Sequence, residues 1–328
     1  MNTTSSADIT LSSPADLVAA IPHLVGYRPT DSAVLVGLDE GHIKVTLRAD
    51  LPLASGCFDV FADVITTMRR NDATAVVLVG FGEAARVTPV VDHLLPRLHG
   101  ADIEVLDAIR VTGGTFWSYV CPEPTCCPPE GKPVPRDSRI EAAFVGEGMV
   151  AAPDRNAVAA QIDPVDFETR NHVALHLCDF KRTARLDRLV NAKRDRAAEN
   201  TAKLAGAAKG VEAGTMPGLA LTAKLGWAIA ETSTGYKTAL AIVDAGDHAH
   251  GLALWIWLAR HHTGIYRSRA AAMTAYAAWR RGNGVLAGEA VGVALRLQPT
   301  CRLAQAVGLA LSNGFPPAKV PPFSEVIP

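Results

Sequence analysis

The run of prolines between Cys121 and Pro135 constrains this chain more than any other feature. Proline has no amide hydrogen and a fixed φ, so Cys121-Pro-Glu-Pro-Thr-Cys126-Cys127-Pro-Pro-Glu-Gly131-Lys-Pro-Val-Pro135 is barred from helix and from central strand alike. The two sides of the loop differ in kind. On its N-terminal side, strand and helix signals alternate; on its C-terminal side, helical patterns run almost without interruption. At 328 residues the chain is also too long for one ordinary core, so two packed bodies are expected.

Before the loop, Ala33 to Leu38 is a short apolar run, Asp39-Glu40-Gly41 is turn chemistry, and Ile43 to Arg48 alternates apolar and polar residues. That pairing predicts a β-hairpin. Phe58, Phe61, Ala62, Ile65 and Met68 then share one helical face. Ala75 to Val79 is a continuous apolar run that fits a strand buried on both sides. Thr88 to His99 has helical spacing, Ile103 to Val111 is strand-like, and Gly113-Gly114 turns the chain into Thr115–Val120. The expected fold class is therefore α/β (or α+β): a mixed sheet of ββαβαββ order carrying helices, with parallel crossovers and antiparallel edges. The predicted core is Val34, Val36, Val76, Leu78, Val105 and Leu106.

After the loop the expectation is an all-helical C-terminal part. Connecting helices fill 136–204, including one long helix or two joined ones over Asp166–Lys203. A Gly/Ala/Met linker is expected over 205–217, a helical domain over 218–315, and an irregular tail over 316–328. Hydrophobic residues make up 48% of the chain and charged residues 20%, which is globular composition rather than disorder. The 32 basic and 33 acidic side chains nearly cancel, so no overall field draws in nucleic acid or an anionic membrane. The N-terminus lacks the basic and apolar regions of a signal peptide, and Gly251–Ala259, the most apolar stretch, is far short of a membrane span. A cytoplasmic protein is expected. Its sparse cysteines fit buried thiols, or ligands where they cluster.

Three separated segments carry a family resemblance. They are Ser12-Ser13-Pro14-Ala15-Asp16-Leu17 continued by Ile21 to Ser32, the loop Cys126-Cys127-Pro128-Pro129-Glu130-Gly131, and Tyr276-Ala-Ala-Trp279-Arg-Arg-Gly282-Asn-Gly284 continued by Ala287, Ala290 and Pro299. Together they resemble the actinobacterial family described as a domain of unknown function, DUF4192. The resemblance implies a cytoplasmic protein and supplies no activity. Residues 267–299 are also spaced like one tetratricopeptide hairpin. No second copy occurs at a period of ~34, which an array would need, so a plain helical hairpin explains the spacing as well.

Two places suggest chemistry. Tyr27, Arg28, Asp31 and Ser32 crowd an aromatic, a cation, a carboxylate and a hydroxyl just ahead of a strand, where α/β folds bind ligands. Equally, Pro29 can set a turn whose amides Asp31 and Ser32 satisfy. The second place is the cysteine loop. Zinc takes four thiolate or imidazole ligands, and His172 and His176 sit one helical turn apart, so Cys121, Cys126, His172 and His176 form a candidate set. Adjacent Cys126 and Cys127 are expected not to serve one ion together. The alternative is a stiff cover of prolines and thiols over the sheet edge beside Thr115–Val120.

Other features read as structure. Thr234 to Thr238 lacks the glycine directly before lysine that a phosphate loop needs. The basic stretch Lys181–Lys203 reads as a solvated helix face without the aromatics that stack on nucleic acid. Asp244, Asp247, His248, His250, His261 and His262 have no fixed geometry. No other cofactor is expected. The leading expectation is a non-enzymatic protein that binds a protein partner or a small molecule. The rival is a small-molecule or metal-dependent enzyme with a site assembled from distant residues, which Asp31, Ser32 and Arg48 meeting a histidine in one cleft would favour.

Overall fold

The structure, a computed structural model, describes residues 9, 11–53, 58–135, 139–146, 149–190, 196–245 and 248–326. The chain divides into two compact units. The first comprises residues 1–157 together with Asn313–Pro316; the second comprises the remainder.

The first unit is built on a six-stranded mixed sheet. Helix α1 (Pro14–Val25) precedes strands β1 (Ser32–Asp39) and β2 (His42–Asp50), then come α2 (Val64–Arg70), β3 (Ala75–Phe81), α3 (Ala84–His99), β4 (Glu104–Thr112), β5 (Thr115–Ser118), β6 (Lys132–Pro133) and α4 (Arg139–Gly146). The spatial order is β2-β1-β3-β4-β5-β6. β1 is antiparallel to both β2 and β3, so those two run parallel with β1 between them, and α2 makes the crossover. β3 and β4 pair in parallel through α3, while β4–β5 and β5–β6 are antiparallel.

Both faces of the central strands are buried. Leu35, Val76, Leu78 and Ala108 pack under α2 and α3 with Phe61, Met68, Val91 and Leu94. Val34, Val36 and Val79 alternate onto the opposite face and are just as inaccessible. Five of the six residues expected in the core are buried or half-buried; Leu106 is 50% exposed. The cause is a β-bulge. Val76 pairs with Val105 and Val77 with Asp107, which leaves Leu106 as the extra residue between them.

Further differences concern the connections. α1 lies where the sequence suggested only a motif; Ser13 caps it through a hydrogen bond from the Asp16 amide, and Gly26 closes it at φ 86°. The boundary between units falls at residues 157 and 158, inside α5 (Arg155–Ala160), rather than at the proline loop. The region expected as a linker over 205–217 is helical as far as Glu212, because Ala205, Ala207, Ala208, Lys209 and Glu212 are strong helix formers.

The second unit is helical: α6 (Phe167–Val190), α7 (Arg196–Glu212), α8 (Leu219–Glu231), α9 (Ser233–Asp244), α10 (His248–His261), α11 (Gly264–Arg280), α12 (Gly284–Leu297), α13 (Arg302–Ser312) and the short α14 (Phe323–Val326). α11 is buried all round from Ala270 to Trp279 and packs against α8, α9, α10, α12 and α13. Its alanines let those neighbours approach closely. α11 and α12 form a helical hairpin over 264–297. The tail is less irregular than expected: Phe323 of α14 stacks on Tyr276 with ring centroids 4.6 Å apart.

Candidate functional site

The segment from Tyr27 to Ser32 is pinned on all sides within the first unit. Tyr27 bridges Ala152, and the Arg28 amide donates to the Ala152 carbonyl at 3.0 Å. The Arg28 side chain reaches Glu141 at 3.1 Å. Asp31 takes a left-handed backbone, φ 43°, and its carbonyl accepts the Leu51 amide at 2.8 Å. Its carboxylate pairs with Arg86, which also donates to the Leu51 carbonyl at 3.0 Å. Ser32 is fully buried; its hydroxyl donates to Thr30 at 2.6 Å and accepts from Arg48 Nη2 at 2.7 Å.

Three of the four residues singled out here, Arg28, Asp31 and Ser32, thus engage their polar side-chain groups in internal contacts. Tyr27 differs: its hydroxyl is buried and has no hydrogen-bond partner among the described residues. Burial pushes its pKa up, against the nearby positive charges of Arg48 and Arg155. Arg48 lies 5.7 Å from the ring centroid and pairs with Asp50 at 2.5 Å. Asp31, Ser32 and Arg48 do share one neighbourhood. Among the described residues no histidine hydrogen-bonds to them, and no nucleophile–base pair is formed there.

The cysteine loop folds back on the sheet edge. The Glu123 carbonyl accepts the amides of Cys126 at 3.1 Å and Cys127 at 2.7 Å, making a tight turn. The returning chain adds β6 beside β5, with Val134 donating to Gly114 at 2.8 Å and Trp117 Nε1 to Pro129 at 3.0 Å. Gly131, at φ 79°, lies so close to Trp117 that a Cβ there would collide with the ring. The expected cover over the edge is therefore present. The thiols are brought together: the sulfurs of Cys121, Cys126 and Cys127 all lie within 4.8 Å of one another. The turn on Glu123 brings the sulfurs of the adjacent pair Cys126–Cys127 to the same side of the loop as Cys121, within that distance of it. Cys121 is lowered from its usual pKa, first by a hydrogen bond from the Glu123 backbone, then by its thiol neighbours. Cys127 is pushed up to about 12, by burial first. His172 and His176 belong to α6 of the second unit, both exposed beside the buried Val173 and Leu177.

A third place is not legible in the sequence. On the sheet face opposite α3, a cleft of about 720 Å³ opens between the start of α1 and the strands. Leu17, Leu38, Ile43, Val77, Leu106 and Ile109 give it an apolar wall, and Ser12, Ser13, His42 and Asp107 add polar groups. Asp107 Oδ1 accepts from Ser118 Oγ at 2.6 Å and from the Ala108 amide at 2.8 Å, so the carboxylate is fixed in place. Leu106, the bulge residue, signals the cleft; strand periodicity alone places it in the core.

The remaining candidates are structural. Lys181 bonds Glu231 at 2.6 Å and Tyr266 at 3.0 Å, which holds its ammonium above the usual lysine range. Asp244 receives the Tyr276 hydroxyl and the Ser324 amide. Asp247 and the side chains of His248 and His250 lie outside the described residues. No helix of the described residues is long and apolar enough to cross a membrane.

Comparison with known proteins gives one family. A model described as a domain of unknown function, DUF4192, matches residues 14–318. No curated protein and no solved structure matches.

Proposed function

The chain belongs to the DUF4192 family, and from that premise we propose that it is a non-enzymatic, cytoplasmic protein that binds a small amphipathic molecule in the cleft between α1 and the sheet. The observation that carries this reading is the cleft itself. Its 720 Å³ falls in the range of small-molecule pockets, roughly 300–1,000 Å³, and it combines an apolar wall with a few convergent polar groups. Asp107 supports binding rather than proton transfer. One of its oxygens already accepts two hydrogen bonds, so the carboxylate is an oriented acceptor whose Oδ2 is left for a donor on the ligand. The described cysteines are all free thiols, as a reducing cytoplasm favours.

The test uses the neutral dye Nile red, whose emission rises in an apolar site. Saturable binding of one dye per chain is expected, lost on Leu106→Arg, which sets a charge in the half-exposed wall without touching the buried core. Absence of saturable binding to the wild-type protein, or equal binding by Leu106→Arg, overturns the reading. A melting curve of the variant separates loss of the cleft from loss of the fold.

A further inference from the structure

Three thiols on one loop are an uncommon arrangement in a chain whose other described cysteines stand singly. Cys121 leaves the end of β5 with its amide held by Ser118 Oγ at 3.0 Å. Further along, the turn on the Glu123 carbonyl brings Cys126 and Cys127 back towards it, and the three sulfurs lie within 4.8 Å of one another. The loop is held at both ends, by β5 and by the β6 pairing, and stiffened by Pro122, Pro124, Pro128 and Pro129. The thiols are thus gathered before anything binds, and ordering the loop adds little to the cost of binding.

We propose that Cys121, Cys126 and Cys127 form a zinc site of three thiolates with its fourth position open to solvent or to an exogenous ligand. A tetrahedral zinc ion with bonds of ~2.3 Å spaces its sulfurs roughly 3.8 Å apart. The 4.8 Å limit already met means that closure moves each pair by no more than about 1 Å. Access is available, since Cys126 is exposed and Cys121 and Cys127 are half-exposed. Binding replaces three S–H bonds with three S–Zn bonds and releases the three protons to solvent, without any change of oxidation state. The ion would clip the loop to the sheet edge it covers.

The full chain, purified under a reductant and freed of metal, is titrated with zinc chloride and weighed by native mass spectrometry. One zinc per chain is expected, with three cysteines then protected from alkylation. Cobalt(II) in its place should give a thiolate-to-cobalt charge-transfer band. Cys126→Ser, at an exposed position, should weaken zinc roughly 100-fold while the apo melting temperature stays the same. Cys178→Ser, the exposed cysteine of α6, should bind as wild type. No zinc on the reduced wild-type chain overturns the proposal. So does unchanged affinity in Cys126→Ser, or loss of the metal in Cys178→Ser.

Discussion

Arg48 grips the hydroxyl of the fully buried Ser32 with two nitrogens, Nε at 3.1 Å and Nη2 at 2.7 Å. The same hydroxyl donates to the Thr30 carbonyl at 2.6 Å. Ser32→Ala removes the one atom that joins these groups. Arg48 keeps Asp50, so the cost should sit at about 1–2 kcal/mol, within the range for a buried group left without its partner. Arg48→Ala should destabilise by a similar amount, and the double variant by less than the sum, because the two residues are in direct contact. Urea unfolding of the three variants measures this; strict additivity would show that the contact contributes nothing.

Leu78 and Leu106 lie on neighbouring strands and should respond in opposite ways. Leu78 is 1% exposed at the centre of the sheet, so Leu78→Ala should cost about 2–5 kcal/mol. Leu106 is the bulge residue on the cleft wall, and Leu106→Ala should cost less than about 1 kcal/mol. Thermal denaturation of both decides the point. A larger loss from Leu106→Ala would contradict the bulge.

His262 makes the second unit sensitive to acid. It is 2% exposed, donates Nε2 to the Thr222 carbonyl at 3.0 Å, and fills the space over Gly226, where a Cβ would collide with the ring. Burial lowers its pKa from 6.5 to about 4. Between those two values the unfolded chain holds a proton that the folded chain refuses, so stability falls as pH drops from 6.5 towards 4 and is restored above 6.5. The full loss is on the order of 3 kcal/mol. His261, also lowered chiefly by burial, adds to the same slope. Unfolding free energies measured across this range should fall less steeply for His262→Gln; an identical slope would assign the effect to other groups.

The end of the chain is fastened to α11 through one hydroxyl. Tyr276 Oη donates to Asp244 and accepts the Phe323 amide at 2.9 Å, while the two rings stack. Arg280 adds bonds to the carbonyls of Pro317 at 2.7 Å and Val320 at 3.2 Å. Tyr276→Phe keeps the stacking and deletes the hydroxyl, leaving the half-buried Asp244 short of a donor. A loss of about 1–3 kcal/mol is expected, with faster proteolytic cleavage near residues 320–326. Cleavage at the wild-type rate would show that Arg280 and the stacked rings suffice.

Much of this fold is legible along the chain. The hairpin turn at Asp39-Glu40-Gly41, the apolar run of β3 and the edge-forming proline loop act locally, and local chemistry is what a sequence displays. α1 escapes a reading by periodicity although Ser13, Pro14, Asp16 and Gly26 spell its start and stop. Leu106 is misplaced by strand alternation because a bulge resets it without any residue that announces the change. At the candidate sites, residue types are visible and partners are not. Nothing near Ser32 in sequence indicates that Arg48 and Thr30 occupy its hydroxyl. The closure of Cys126 and Cys127 on Cys121 depends on one turn at the Glu123 carbonyl, a backbone event that side-chain spacing does not encode.

Residues Asn313–Pro316 return to the first unit after the long stretch Val158–Ser312 spent in the second. Arg70 and Asn71 hold the carbonyls of Asn313 and Gly314, Phe315 lies under Arg70 at 4.3 Å, and Gly314 takes φ 60° so close to Thr67 that a Cβ would collide with its side chain. During synthesis this strap leaves the ribosome only after the whole of Val158–Ser312. The α/β unit, though begun first, therefore completes its own surface only after the stretch Val158–Ser312 of the helical unit has been made. A nascent chain interrupted anywhere in the helices leaves the C-terminal end of α2 without these contacts. The two halves of this protein are thus interleaved in the order of synthesis, since α14 of the helical unit follows the strap in turn.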